Sequence, residues 1–468
     1  MKFILLSIFF LVAVTFLRAE RPNFVFLLGD DINCDNLGCY GGGVRCNTPH
    51  IDKLAADGVR FAKAYTSVAM CAPFRQELYS GRTPWRTKTF LNHSKSTADT
   101  KSLPHYLEPL GYRVALLGKG HIGPEQAYPF ERLGNTDDNQ VFLAKAKEFI
   151  KACLVEKKPF CLVIASHDAH AKFTNGDASA YDPSTLNIPP YWIDTPELRA
   201  SLPGYLAEVT HFDALVGKVR RYLDESDLAK ETVLFACTEQ GSQFPFAKWT
   251  CFDNGLRTGL VAYAPGRIKR GHVSEELLWM CDIAPTIVEM AGGEFEATDF
   301  DGRSQLANLI GTPTRLHNYV FGAFSNKGII DNRDRVYPIR SVRDGRYSLI
   351  YSPKSAEKTS NVTLTRALRL LEGDATVGKS RESKKIIEPT LSWVLAEGAD
   401  HPLVRKLHHR PEFALYDLEK DQYELNDLSS SPEHQKTFNR LKGALFAFLE
   451  ANGDADPVET ETKATKKN

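Results

Sequence analysis

The chain has 468 residues, 43% of them hydrophobic and 10% aromatic, with 58 basic and 58 acidic side chains and nine cysteines. That length can bury a sizeable core and suggests two or three domains, and so ordinary a composition excludes wholesale disorder. A formal net charge of zero offers no support for nucleic-acid binding or for a polybasic membrane contact.

Lys2 precedes an apolar run from Phe3 to Leu17, broken only by Ser7 and Thr15, and Ala19 supplies a small residue for cleavage. The run is too short for a bilayer span and suits the core of a signal peptide, so residues 1–19 are expected to be removed on export. No later stretch is long and apolar enough to cross a membrane. The mature chain is therefore expected to lack a span and to be periplasmic or secreted, or lysosomal in an animal host. Disulfides persist in such compartments, and an odd number of cysteines leaves one thiol outside any full pairing. Asn92-His-Ser and Asn361-Val-Thr read as glycosylation sequons in a host that glycosylates.

The near-continuous apolar runs Asn23–Leu28, Tyr112–Gly118, Phe160–Ser166 and Thr232–Thr238 predict strands of a mostly parallel sheet buried on both faces. A helix is predicted over His50–Gly58, where Ile51, Leu54 and Ala55 share a face and Gly58 can stop it, and a longer one over Arg199–Tyr222. This alternation is α/β grammar, a large central sheet flanked by helices. From about Tyr337 the texture changes to a short strand at Arg346–Tyr351, a polar stretch over Ser352–Arg366 and a helix over Pro432–Ala451. The expected organisation is a first domain over 20–336 and a smaller α+β subdomain over 337–453. Residues 454–468 are charged and are expected to be a frayed tail.

Each predicted strand runs into polar residues: Gly29-Asp30-Asp31, Lys119-Gly120-His121, His167-Asp168-Ala169-His170 and Glu239-Gln240-Gly241. Ligands bind outside the carboxyl ends of strands in open α/β sheets, so these four segments should meet at one edge. Asp30, Asp31, Glu239 and Gln240 form the oxygen-rich donor set of a hard divalent cation such as Ca²⁺, whereas zinc favours histidine and cysteine. Taken alone, Asp30-Asp31 also fits a helix cap beside a surface charge. In Cys71-Ala-Pro-Phe-Arg75, continuing to Gly81-Arg82, Pro73 suits a first helical turn and Gly81 its end. A cysteine at that positive helix end is expected to have a lowered pKa and to serve as a nucleophile; a buried apolar thiol or a disulfide partner is the other reading.

Cys-x-Pro-x-Arg followed by Ser-Gly-Arg resembles the signature of the type I, formylglycine-dependent sulfatases of the alkaline-phosphatase-like superfamily. The likeness extends in order through PNFVFLLGDD, TPHIDKLAADGVRFAKAYT, LGKGHIG, SHDAH, TEQG with FPFAKWT, NGLRTGLVAYAPG and FALYDLEKDQYELNDL. The Phe-Pro-Phe-Ala-Lys block leans towards sulfamidase-like and other carbohydrate sulfatases.

The resemblance implies that Cys71 is converted to 3-oxoalanine (Cα-formylglycine) by a formylglycine-generating or equivalent maturase. Its hydrate would attack a sulfate ester or N-sulfate of a saccharide, and a second hydroxyl would then expel sulfate. Asp30, Asp31, Cys71, Glu239 and Gln240 would hold calcium. Arg75 would hold the hydrate, Lys119 and Lys248 would bind sulfate oxygens, His121 would assist the hydrate, and His170 would bind substrate and protonate the leaving group. Glu239-Gln240 departs from the family's usual Asp followed by His or Asn, each side chain being one methylene longer. The 167–170 block lacks the family's proline; there His167 and Asp168 are expected to orient substrate or to partner His170. His50, His93 and His211 read as structural or surface histidines. Arg340, Arg343 and the His408-His409-Arg410 cluster are candidate contacts for an anionic sugar, or a solvated basic surface.

Two other readings remain. A phosphatase or phosphodiesterase of the same superfamily would need a serine or threonine nucleophile and more metal-type histidines. An inactive glycan-binding homologue would follow if Cys71 stayed a thiol. Removing residues 1–19 leaves 56 basic against 58 acidic side chains, so attraction for an anionic substrate must be local. It would also leave Cys34, Cys39, Cys46, Cys153, Cys161, Cys237, Cys251 and Cys281 as eight thiols able to pair once Cys71 is converted.

Overall fold

The computed structural model describes residues 21–41, 43–325, 336–359, 393, 397–398 and 400–464. The expected leader, the Asn361 sequon and the polar stretch beyond residue 359 lie outside the described residues.

Eight strands form the main sheet: β1 (Asn23–Gly29), β2 (Val59–Tyr65), β3 (Arg113–Gly118), β4 (Glu131–Arg132), β5 (Phe160–Ala165), β6 (Thr232–Thr238), β7 (Arg257–Tyr263) and β8 (His272–Trp279). Their order is β4-β3-β5-β1-β6-β7-β2-β8. Only β7 runs antiparallel to its neighbours. All seven residues of β1 are buried. Val25 and Leu27 enter the core on one face, and Phe24, Phe26 and Leu28 enter the core on the other. That two-sided burial explains why the central strands read as continuous apolar runs.

The helices α1 (Pro49–Asp57), α2 (Cys71–Ser80), α3 (Asn139–Glu156) and α4 (Pro196–Glu225) connect and cover these strands. All ten residues of α2 are buried. Its first turn holds Pro73, and Gly81 closes it at a left-handed φ of 66°. A side chain at Gly81 would also meet Phe300, so glycine serves both the turn and the packing.

A second, antiparallel sheet joins β9 (Val320–Ser325), β10 (Pro338–Arg343), β11 (Tyr347–Tyr351) and β12 (Phe413–Asp417) in the order β12-β11-β10-β9. Its first strand begins at Val320 and so lies within the span assigned above to the first domain. The helices α5 (Gln435–Ala451) and α6 (Pro457–Ala464) complete this part.

The expected frayed tail is corrected. Asp454 and Glu461 are buried. Arg340 donates to Asp454 Oδ2 at 2.6 Å and to Glu461 Oε1 at 3.0 Å. Trp85 Nε1 donates to Asp454 at 2.8 Å, from the main sheet's side of the molecule. Asp454 and Glu461 are thus internal counterions. By the same contacts Arg340 is withdrawn from any sugar-binding role, and Arg343, His408 and Arg410 are also buried. All nine cysteines are free thiols.

Candidate active site and metal centre

Strands β3, β5, β1 and β6 are neighbours, and their carboxyl ends bring the four polar segments together. Asp30 N–H donates to Asp168 O at 2.6 Å, and Ala169 N–H returns a bond to Asp30 O at 2.5 Å. The segments after β1 and β5 are therefore joined main chain to main chain. Cys71 joins them as the first residue of α2.

Ligand atoms of Asp30, Asp31, Cys71 and Glu239 all lie within 4.8 Å of one another, and all four residues are buried. Cys71 Sγ is 3.3 Å from Asp30 Oδ1. Gln240 Nε2 lies 2.5 Å from Asp31 Oδ1 and 3.4 Å from Cys71 Sγ. Glu239 Oε2 and Gln240 Oε1 are buried without a hydrogen-bond partner. Three carboxylates and an amide oxygen, two of them offering unpartnered buried oxygens, fit a hard divalent cation of the calcium type.

Basic groups surround the acids. Lys119 pairs with Asp30, and Arg75 pairs with Glu239 while donating to Lys119 O at 2.6 Å. Lys248 Nζ is 2.7 Å from Asp31 Oδ2 and 3.4 Å from Cys71 Sγ. Burial alone would raise the Asp30 carboxyl, but Lys119, with His170 and Lys248, holds it well below the usual range. Burial, opposed by Arg75, pushes Glu239 up to about 8. Asp30 raises Lys119 against its burial, and Asp31 and Cys71 do the same for Lys248, so both ammonium groups stay charged.

The lowered pKa expected for Cys71 is not found. Burial and the adjacent Asp30 raise it. Desolvation and a neighbouring carboxylate outweigh the helix end, and the bare thiol is a poor nucleophile here.

The histidines lie at the rim. His170 Nε2 is 3.8 Å from Asp31 Oδ2 and 3.3 Å from Gln243 Nε2. His170 Nδ1 is 2.8 Å from Ala171 O, a carbonyl that can only accept, so Nδ1 carries a hydrogen and Nε2 is the ring nitrogen turned towards Asp31 and Gln243. His121 Nε2 is taken by His93 Nδ1 at 2.7 Å, and its Nδ1 is buried without a partner. Burial, then Lys119 and His93, lowers the His121 pKa to about 3.

The expectation that Asp168 partners His170 is also corrected. Its carboxylate accepts from Ser166, Asn175 and His211. His167 pairs with Asn135 Oδ1 at 2.9 Å. His93 and His211, read above as structural or surface residues, thus touch the site's own segments. Nothing in the sequence marks Gln243 beyond its position three residues after Gln240.

The segment carrying Lys248 is braced from the second sheet. Arg343 Nη2 donates to Cys251 O at 2.5 Å, and Asp253 N–H donates to Glu424 Oε2 at 2.6 Å. Lys406 Nζ lies 5.3 Å from the Phe252 ring centre and 4.7 Å from that of Tyr416.

Comparison with known proteins agrees with this geometry. Residues 22–293 match the family model described as Sulfatase. An ulvan-active sulfatase of Formosa agariphila is 30% identical, over 93% of this chain and 81% of its own length. The N-sulphoglucosamine sulphohydrolase of Homo sapiens is 27% identical, over 92% and 90%. A protein solved in complex with its substrate, D-glucosamine-2-N,6-O-disulfate, superposes with a TM-score of 0.68 at 17% identity, covering 94% of this chain and all of the other.

Proposed function

The chain belongs to the sulfatase family and is a sulfuric ester hydrolase, and from that premise we propose that it removes sulfate from a sulfated carbohydrate at Cys71. The observation that carries the reading is the position of Cys71, with Asp30 at 3.3 Å on one side and Lys248 at 3.4 Å on the other. Relatives named for ulvan and for N-sulphoglucosamine support a saccharide substrate, and the apolar run at residues 3–17 supports export.

Asp30, Asp31, Glu239 and Gln240 would hold calcium, which supplies Lewis-acid polarisation of a sulfate oxygen. Conversion of Cys71 to Cα-formylglycine by a maturase would replace the disfavoured thiol with a hydrated aldehyde nucleophile. The chain's own cations do the rest of the electrostatic work. Lys119 and Lys248 balance the charge of the sulfate group, and Arg75 orients the residue at position 71. His170 would deliver a proton from Nε2 to the leaving oxygen or nitrogen. Its Nδ1–H already faces Ala171 O, so giving up that proton needs no change of tautomer. His121, kept neutral by burial and Lys119, would assist the hydrate by accepting a proton.

Mass spectrometry of the Cys71 peptide from active protein tests the nucleophile and should show the aldehyde. Release of sulfate by protein holding only the thiol would sink the mechanism, as would full turnover by Cys71→Ala. A panel of O- and N-sulfated saccharides assayed for free sulfate tests the substrate class; activity on phosphate monoesters in preference to every sulfate would overturn it.

A further inference from the structure

The segment 167–176 carries His170 and packs against α4. Two side chains of α4, three residues apart and hence on one face, hold it from outside the reacting groups. Glu208 Oε1 accepts from Thr174 N–H at 2.6 Å and Asn175 N–H at 3.1 Å. Asn175 Nδ2 donates to Asp168 Oδ1 at 2.8 Å, and His211 Nδ1 meets Asp168 Oδ2 at 2.8 Å. Asp168 in turn is bonded through its carbonyl to Asp30 N–H. Gly176 presses so closely on Ala207 that a side chain there would strike its carbonyl oxygen. Glu208 itself is buried, and burial, with the charges of Asp168 and Asp137, pushes its carboxyl up to about 8. A carboxyl is a costly group to bury merely to fill space.

We propose that Glu208 and His211 are positioning residues: they clamp both ends of the His170 segment and so fix the direction of His170 Nε2 towards the leaving group. The inference rests on His170 being the leaving-group acid. A general acid contributes only while its proton lies on the path to the leaving atom, and a shift of about 1 Å can cost on the order of 100-fold.

The test uses full-length matured enzyme and a series of aryl sulfates running from 4-nitrophenyl through 4-chlorophenyl to phenyl sulfate. Good leaving groups need little protonation; poor ones need it most. His170→Ala should lose more kcat/KM on phenyl than on 4-nitrophenyl sulfate, by tenfold or more. Glu208→Ala and His211→Ala should steepen the series in the same sense, while Glu208→Gln, whose amide oxygen can accept both N–H groups, should follow the parent. A merely structural role would lower all substrates alike. If His170→Ala steepens the series and the two α4 variants, folded and converted at Cys71, do not, the clamp is refuted while the role of His170 stands. If His170→Ala leaves the slope unchanged, the reading of His170 fails and the inference fails with it.

Discussion

Gln240 presents its amide nitrogen, not its oxygen, to Asp31 Oδ1 at 2.5 Å. The donor hydrogen faces the carboxylate where a cation would place positive charge, and Gln240 Oε1 is left buried without a partner. A half-turn of the amide exchanges the two atoms, so this side chain suits either electrostatic state of the cluster.

Calcium should therefore raise the thermal stability of the protein and a chelator should lower it. At a free concentration ~100-fold above Kd the gain is about 2.7 kcal/mol. Gln240→Ala should shift the calcium concentration for half-maximal stabilisation upward by about tenfold or more. Calcium-independent melting of the parent would contradict the donor set assigned here.

Lys248 stands between Asp31 and Cys71, at 2.7 and 3.4 Å. Its truncation to alanine should lower kcat on a sulfate ester by about 10²–10³, the usual cost of removing one fixed donor for transition-state charge. Steady-state sulfate release measures this. A loss confined to KM would show that Lys248 only binds the ground state.

Glu77 is buried in α2, where it accepts from Ser67 Oγ at 2.5 Å and Ser67 N–H at 2.9 Å. Burial pushes its carboxyl from 4.5 up to about 8. Between those values the unfolded chain has released a proton that the folded chain retains, so this group makes stability fall as pH rises across that window. Glu77→Gln should flatten the slope and gain on the order of a few kcal/mol relative to the parent at the alkaline end. Urea midpoints measured across the window give the difference directly; parallel curves would refute it.

Arg340 is fully buried between Asp454 and Glu461. Arg340→Met strands two buried carboxyl groups and should cost about 3–5 kcal/mol. Deleting residues 454–468 strands the arginine instead and should destabilise in the same direction. Denaturant unfolding checks both; an unchanged midpoint on truncation would restore the view of this segment as a dispensable tail.

The sequence was most legible where one local rule sufficed. β1, β3, β5 and β6 show themselves because both faces are buried, and the residues just past their ends fall at the site because parallel topology puts them there. β8 escapes, since its buried and exposed positions do not alternate, and β4 has only two residues, both exposed. Asp454 and Glu461 read as solvated charge because their partner, Arg340, is over a hundred positions away. His211 looks unremarkable on a helix until Asp168 is seen beside it. The raised Cys71 pKa is hidden for a related reason: the helix end is visible in sequence, but the burial and the facing Asp30 that outweigh it are not.

The brace between the second sheet and the Lys248 segment bears on how such enzymes can be recombined. The family-model match, residues 22–293, stops short of Arg343 and Glu424, which grip Cys251 and Asp253. A chimera joined at that limit would keep Cys71, Lys119, His170 and Lys248 yet exchange the support on which the Lys248 segment rests. Grafting a foreign C-terminal half in search of new specificity would thus retune turnover together with substrate choice, unless the grip on Cys251 and Asp253 were transplanted too.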